Sequence, residues 1–189
     1  YNGSEYLEGM LAAYKLRAVP ININYHYVTG ELQYLYNDAN LVAVVTHQTF
    51  APHVAEVVNR AGKLRHVFSV ADSSGEAVDP GFHDYEKSLA QSSDVRDFAP
   101  RDSDDLYIVY TGGTTGMPKG VMWHHRDIFF GAMSGGDLDQ SRGPIKDPAE
   151  LAGRIGDMAP AALPAPPFMH AAAQWAALSL LFAGGKIVI

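Results

Sequence analysis

The chain has 189 residues, 47% of them apolar, which is enough for one globular domain with a sizeable core and excludes a wholly disordered polymer. A formal net charge of −7, spread without long like-charge runs, gives no electrostatic reason to expect nucleic acid or an anionic membrane surface as partner. The absence of cysteine excludes disulfides, thiolate nucleophiles and Cys-based zinc sites together.

No apolar run approaches the roughly 18–20 residues that cross a bilayer, and the N-terminus shows no basic region followed by an apolar stretch. The expected location is the cytoplasm, with a membrane-peripheral position as the alternative. Tyr1, Asn2, Gly3 and Ser4 lead straight into a helical pattern, and the sequence stops inside an apolar strand at Lys186, Ile187, Val188 and Ile189. An excised piece of a longer protein is therefore expected. A sheet stopped there would leave an unpaired apolar edge, so self-association through that edge or partial disorder is expected with it.

In chain order, three stretches place apolar residues at i, i+3, i+4 and i+7: Leu7, Met10, Leu11, Tyr14; Leu32, Leu35, Tyr36, Ala39; and Val54, Val57, Val58, Ala61. Each predicts an amphipathic helix lying on a sheet. Ser4 and Thr29 are the expected N-caps, Pro52 suits a first turn and Gly62 a stop. A short apolar run follows each helix, at 19–23, 41–45 and 67–70, and runs without strict alternation suit strands buried on both faces. This alternation argues for an α/β fold with a largely parallel sheet flanked by helices.

A helix-like stretch at 84–89 leads through a polar segment into a strand at 106–110. A second strand is expected at 121–124, then a helix capped by Asp127. Residues 135–160 are rich in Gly, Pro and Asp and mark an excursion from the core, although Asp147, Pro148 and Glu150 make an N-terminus for a short helix reaching about Ile155. After Pro164, Pro166 and Pro167, a helix is expected from Ala171 to Phe182, closed by Gly184 and Gly185. The chain thus divides into β-α units (1–105), a loop with its flanking strand and helix (106–134), the excursion (135–160) and a final pocket motif, helix and strand (161–189).

The loop at 111–120 reads TGGTTGMPKG and directly follows the strand LYIVY. Its glycines let backbone N–H groups approach an anion without Cβ obstruction, while Thr111, Thr114, Thr115 and Lys119 supply side-chain donors. Together they suit a polyphosphate. A Walker-type loop would carry Gly-Lys-Ser/Thr at the start of a helix, whereas here Pro118 precedes the lysine and an apolar Val-Met-Trp run follows. A Gly-rich hairpin turn, the bland alternative, needs neither adjacent threonines nor a lysine behind proline.

This loop resembles, position by position, the signature loop of the adenylate-forming enzymes: acyl-CoA synthetases, luciferases and peptide-synthetase adenylation domains. The resemblance covers nearly the whole chain. Residues 11–22 (LAAYKLRAVPIN) are similar to the family's upstream helix-strand motif, and 25–35 to the following turn and helix of its acyl-CoA ligases. Residues 166–170 (PPFMH) are similar to the motif whose aromatic or histidine borders the acyl pocket and the pantetheine tunnel. The chain would then be part of the large N-terminal domain of an acyl-CoA synthetase, with the C-terminal domain absent. The resemblance implies a ligase that turns a carboxylic acid, ATP and CoA into acyl-CoA, AMP and pyrophosphate through acyl-AMP. It assigns the phosphate grip to Thr111, Gly112, Gly113, Thr114, Thr115, Gly116, Lys119 and Gly120, and the acyl and CoA tunnel to Met169 and His170.

Mg²⁺ would be required, with its protein ligand outside these residues, as would the ribose-binding aspartate, the hinge and the C-terminal catalytic lysine. The fragment alone is therefore expected to be inactive. Gly112 stands where many relatives have Ser, and Ala171, Ala172 and Ala173 replace a Gly expected soon after the histidine. The long excursion resembles ligases acting on long or bulky lipid acids, sterol side chains included. Amino-acid adenylation, or a non-catalytic nucleotide- or pyrophosphate-binding module, are the alternatives.

Other polar residues have plainer readings. His124 and His125, as neighbours on a strand, would point to opposite faces and could not share an ion, and by the resemblance His125 is structural. Trp123 and Trp175 suit core or rim packing and carry no assigned role. Asp102, Asp104 and Asp105 are expected to form a solvated loop.

Overall fold

The computed structural model describes residues 2–112, 116–155 and 160–189. In chain order the helices are α1 (Ser4–Lys15), α2 (Thr29–Asp38), α3 (Ala51–Val58), α4 (Tyr85–Ala90), α5 (His125–Ala132), α6 (Glu150–Arg154) and α7 (Ala171–Phe182). The strands are β1 (Ala43–His47), β2 (His66–Val70), β3 (His83–Asp84), β4 (Leu106–Thr111), β5 (Lys119–His124), β6 (Ala161–Ala162) and β7 (Lys186–Ile187). The chain divides into two units, one of Ile23–Ala99 with Tyr110–Gly120, the other of Asn2–Asn22, Pro100–Val109 and Val121–Ile189.

In the first unit, β1 pairs parallel with β2, Ala43 opposite His66 through to His47 opposite Val70, and β2 pairs parallel with β3. The α/β expectation therefore holds. Helix α2 buries Leu32, Leu35 and Tyr36, three of the positions that gave its stretch a helical period, and helix α3 buries Val54 and Val57 from its stretch together with Ala51. Removing a side chain such as Leu35 or Val57 from water stabilises the unit by about 1.5–3 kcal/mol each. The helix starts differ from expectation by one residue. Gly3 and Val28 occupy the cap positions, and neither Ser4 nor Thr29 makes a capping bond. Glu31 reaches back to accept the Val28 N–H at 3.1 Å, which leaves the Thr29 hydroxyl to donate to Glu56 Oε2 at 2.5 Å.

The strand expected at 19–23 is reduced to one parallel bridge between Ile21 and Ile108 in the second unit. Pro20 has no N–H for a ladder, and Asn22 turns its side chain to another partner. The strand expected from Leu41 begins two residues later, because the Leu41 N–H returns to Tyr36 O at 3.0 Å to finish α2. Three helices end through this same six-to-one bond: Ala18 N–H to Ala13 O, Leu41 N–H to Tyr36 O and Gly185 N–H to Leu180 O. Each needs a left-handed residue just before the donor, supplied by Arg17 (φ 57°), Asn40 (φ 51°) and Gly184 (φ 72°).

The second unit is built on α7, whose residues Ala173, Gln174, Ala177, Leu178, Ser179 and Leu180 are buried. One core cluster joins Met10, Tyr107, Val109, Ile128, Met133 and Leu178, and another joins Leu7, Phe168, Ala173 and Ala177. Helix α5 starts at His125, so Asp127 lies in its first turn instead of capping it, where its charge still favours the helix N-terminus. The described residues of the excursion, 135–155 and 160, are not wholly irregular. Its loop closes where Ile145 N–H meets Gly135 O at 3.0 Å, around a buried Asp137 that accepts the Gly143 N–H at 2.7 Å. Helix α6 forms where expected, and the Glu150 carboxylate accepts the N–H groups of Lys146 and Asp147. Strand β7 pairs parallel with β6, a two-residue strand that no sequence signal marked.

Candidate functional site

Strand β4 delivers Thr111 and strand β5 begins at Lys119, so the two strands, which pair with each other, hold both ends of the Gly-Thr-Lys loop. Just before it, the Tyr110 hydroxyl donates to Asp38 Oδ2 at 2.7 Å and anchors the end of β4 to the last turn of α2. Burial, reinforced by that carboxylate, pushes the Tyr110 hydroxyl well above the ordinary phenol range, so it stays a donor at neutral pH.

Thr111, Gly112, Gly116, Met117 and Lys119 are exposed, Gly120 is half-buried and Pro118 is buried. Among the described residues, a Cβ added at Gly112 or Gly116 would meet nothing within 4 Å. Among the described residues no ion pair engages Lys119. These positions therefore offer a hydroxyl, an ammonium and side-chain-free backbone to solvent, which fits a polyanionic ligand. Gly113, Thr114 and Thr115 lie outside the described residues.

The second expected segment, residues 166–170, lies in the second unit. Residues 166–170 are held by three side-chain amides. Asn2 donates to Pro166 O at 3.3 Å and accepts the Phe168 N–H at 2.7 Å. Asn22 donates to Met169 O at 2.8 Å, and Gln174 donates to Phe168 O at 2.7 Å. Met169 is buried, whereas His170 is exposed and stands at the cap position of α7, its side chain making no cap bond. Ala173, where a small residue was noted in place of glycine, is completely buried among Leu7, Phe168 and Ala177.

Gln174 is also the hub of a buried network. The Trp175 Nε1–H donates to the Tyr107 hydroxyl at 3.1 Å, which donates to Gln174 Oε1 at 2.6 Å. The Gln174 amide donates in turn to the Tyr6 hydroxyl at 2.9 Å. Burial pushes Tyr107 up to about 12 and raises Tyr6 further, so the network is uncharged. Asn2, Asn22, Gln174 and Tyr107 were not marked as functional by sequence. The one signal available was the lone Gln in the apolar run AAAQWAALSLLF, since a buried amide must have partners. Trp175, unassigned from sequence, is a donor in this network, and Trp123 stands edge-on to it at 6.2 Å between ring centres.

His124 ends β5 and His125 begins α5, so the two are not neighbours on one strand as expected, yet they engage different carbonyls. His124 Nδ1 meets Asp104 O at 2.9 Å and His125 Nε2 meets Leu106 O at 3.2 Å. His125 also stands edge-on to Tyr14 at 5.0 Å, and its burial holds the imidazole below its ordinary range. The reading of Asp105 as a solvated loop residue is corrected. Arg17 grips both of its oxygens, Nε at 3.0 Å from each and Nη2 at 2.6 Å from Oδ1, and its side chain is only 14% exposed. Asp104 pairs with Arg126.

Parallel strands alternate with helices, and the described Thr, Gly and Lys residues of the loop between β4 and β5 are exposed. Residues 1–189 match the AMP-binding enzyme family over their whole length, and the chain belongs to that family. It is 42% identical over 194 residues to the 3-oxocholest-4-en-26-oate–CoA ligase of Rhodococcus rhodochrous, covering 100% of this chain and 34% of that protein. It is 39% identical over 189 residues to the medium-chain acyl-CoA ligase Mig of Mycobacterium avium, again covering 100% of this chain and 34% of that protein. The chain thus spans about a third of the length of these relatives. Among solved structures, the fold is shared with ATP-bound MatB from Rhodopseudomonas palustris at a TM-score of 0.73 and 23% identity, over 100% of this chain and 33% of that one. An acyl-CoA synthetase of Brucella canis shares it at a TM-score of 0.71 and 20% identity, over 98% of this chain and 31% of that one.

Proposed function

We propose that the chain carries the phosphate-gripping part of an ATP-dependent acid–CoA ligase. The single observation that carries this reading is the open loop: Thr111, Gly112, Gly116 and Lys119 present donors and uncovered backbone to solvent at the junction of β4 and β5. The acid's carboxylate attacks the α-phosphorus of ATP, giving acyl-AMP and pyrophosphate. The CoA thiol then attacks the acyl carbon, releasing AMP and a proton and leaving the thioester. Thr111, Thr114, Thr115 and Lys119 hold the β- and γ-phosphates and stabilise the negative charge that grows on the departing pyrophosphate. A bound Mg²⁺ would neutralise charge on the same phosphates, with its protein ligand supplied from outside residues 1–189. Met169 and His170 border the acid and the pantetheine arm of CoA.

The acid is a fatty or bulky lipid acid. This is supported by the likeness to ligases named for a cholestenoate and for medium-chain acids, and by the long 135–160 segment, of which 156–159 lie outside the described residues. The enzyme is assigned to the cytoplasm, and residues 1–189 alone do not adenylate. Acid-dependent ATP–pyrophosphate exchange by the intact protein, measured with fatty, sterol and amino acids, tests this. Exchange driven by lipid acids is expected. Exchange only with amino acids would overturn the substrate class, and none with any acid while ATP still binds would leave a non-catalytic nucleotide-binding module.

A further inference from the structure

Away from the loop, β2 and β3 bring two imidazoles together. Phe68 is opposite His83 in the parallel register, and His66 precedes Phe68 by two residues, so all three side chains stand on one face of the sheet. His66 Nδ1 and His83 Nε2 lie 3.4 Å apart, and both residues are exposed. We propose that His66 and His83 form a two-imidazole site for a borderline divalent transition cation such as Zn²⁺.

The distance is the main support. Two nitrogens each about 2.0–2.1 Å from one tetrahedral zinc stand about 3.3 Å from each other. The same separation is long for a hydrogen bond between two ring nitrogens, so the pair gives up little when a cation replaces that contact. Phe68 packs beside both rings, 5.1 Å from His83 and 6.4 Å from His66 between ring centres, and limits their freedom. Strand pairing has already set the two backbones, so binding does not have to order them.

Imidazole nitrogen selects zinc, nickel or copper over Mg²⁺ and Ca²⁺, which require oxygen ligands, and this separates the site from the Mg²⁺ proposed at the phosphates. Among the described residues no third His, Asp or Glu completes a cluster, so water fills the remaining positions and exchanges there. A bound cation would clip β3 to β2 and close the segment 67–82, whose stretch from Ala71 to Phe82 is mostly exposed.

The test is a calorimetric titration of the intact protein with Zn²⁺ alone, beside a His66→Gln/His83→Gln double variant and a His26→Gln control. One zinc equivalent should bind to wild type and control. The double variant should bind it more weakly, by more than the roughly tenfold that loss of even an outer-shell partner costs. Hydrogen exchange at the β2 and β3 amides should slow with Zn²⁺ and not with Mg²⁺. Equal zinc affinity in wild type and double variant would mean adventitious binding by solitary histidines and would overturn the site. Should the double variant fail to fold, wild-type exchange decides alone, and a lack of zinc-dependent protection at β2 and β3 would overturn the site in the same way.

Discussion

Gln174 Nε2 donates to the carbonyl oxygen of Phe168 at 2.7 Å, so a side chain in the first turn of α7 holds the backbone two residues before His170. The same amide accepts the Tyr107 hydroxyl and donates to that of Tyr6, and Gln174 itself is only 3% exposed. The motif that borders the proposed acyl pocket is therefore set by a buried polar hub.

Gln174→Met keeps the volume but strands the Phe168 carbonyl and two phenols. It should destabilise the fold by about 2–4 kcal/mol, read as a lower urea midpoint at unchanged slope. A change below about 0.5 kcal/mol, the usual range for surface substitutions, would show that the network carries no stability.

Two acid windows are expected, both of the same sign. Burial depresses His125, so the unfolded chain takes up its proton first and stability falls as pH drops from about 6.5 towards the lower folded value. Asp105 is depressed by the Arg17 hydrogen bonds; its stabilisation is fully present above about pH 4 and is lost as pH falls through the folded value. His125→Phe should remove the upper window and Asp105→Asn the lower one, each as a wild-type minus variant difference that shrinks with acid. Parallel unfolding profiles across pH 2–8 would refute the assignments.

At the loop, Lys119→Ala should lower the ligase kcat/KM of the intact protein by roughly a hundredfold or more, because a preorganised donor to developing charge is lost. Its exposed position predicts a stability change within about 0.5 kcal/mol. Gly112→Ser adds a Cβ that meets nothing within 4 Å among the described residues, and it should keep both fold and turnover. Unchanged kinetics in Lys119→Ala would remove the lysine from the phosphate grip.

Gly185→Ala places a Cβ 2.6 Å from the backbone oxygen of Pro160 and 2.7 Å from Leu180 Cγ. Thermal unfolding should show a loss of about 1–3 kcal/mol. Gly62→Ala, where a Cβ meets nothing within 4 Å, serves as the neutral control within about 0.5 kcal/mol. Equal midpoints for the two variants would mean that the β6–β7 corner yields without cost.

What sequence alone determined here is what local pattern encodes. The 3.6-residue period of Leu32, Leu35 and Tyr36 marks α2 because the buried face of a helix must recur once per turn. The loop at 111–120 stands out because side-chain-free backbone beside hydroxyls and an ammonium is a local pattern, the one the proposed phosphate grip would require. Tertiary structure decided the pairings between distant residues: Arg17 with Asp105, Asn22 with Met169, and Tyr107 with Gln174. It also cut the 19–23 strand to one bridge and gave β7 its partner β6. A polar residue's sequence shows that it needs a partner if buried, but which partner depends on where the backbone brings the two together, and that is a property of the packed fold.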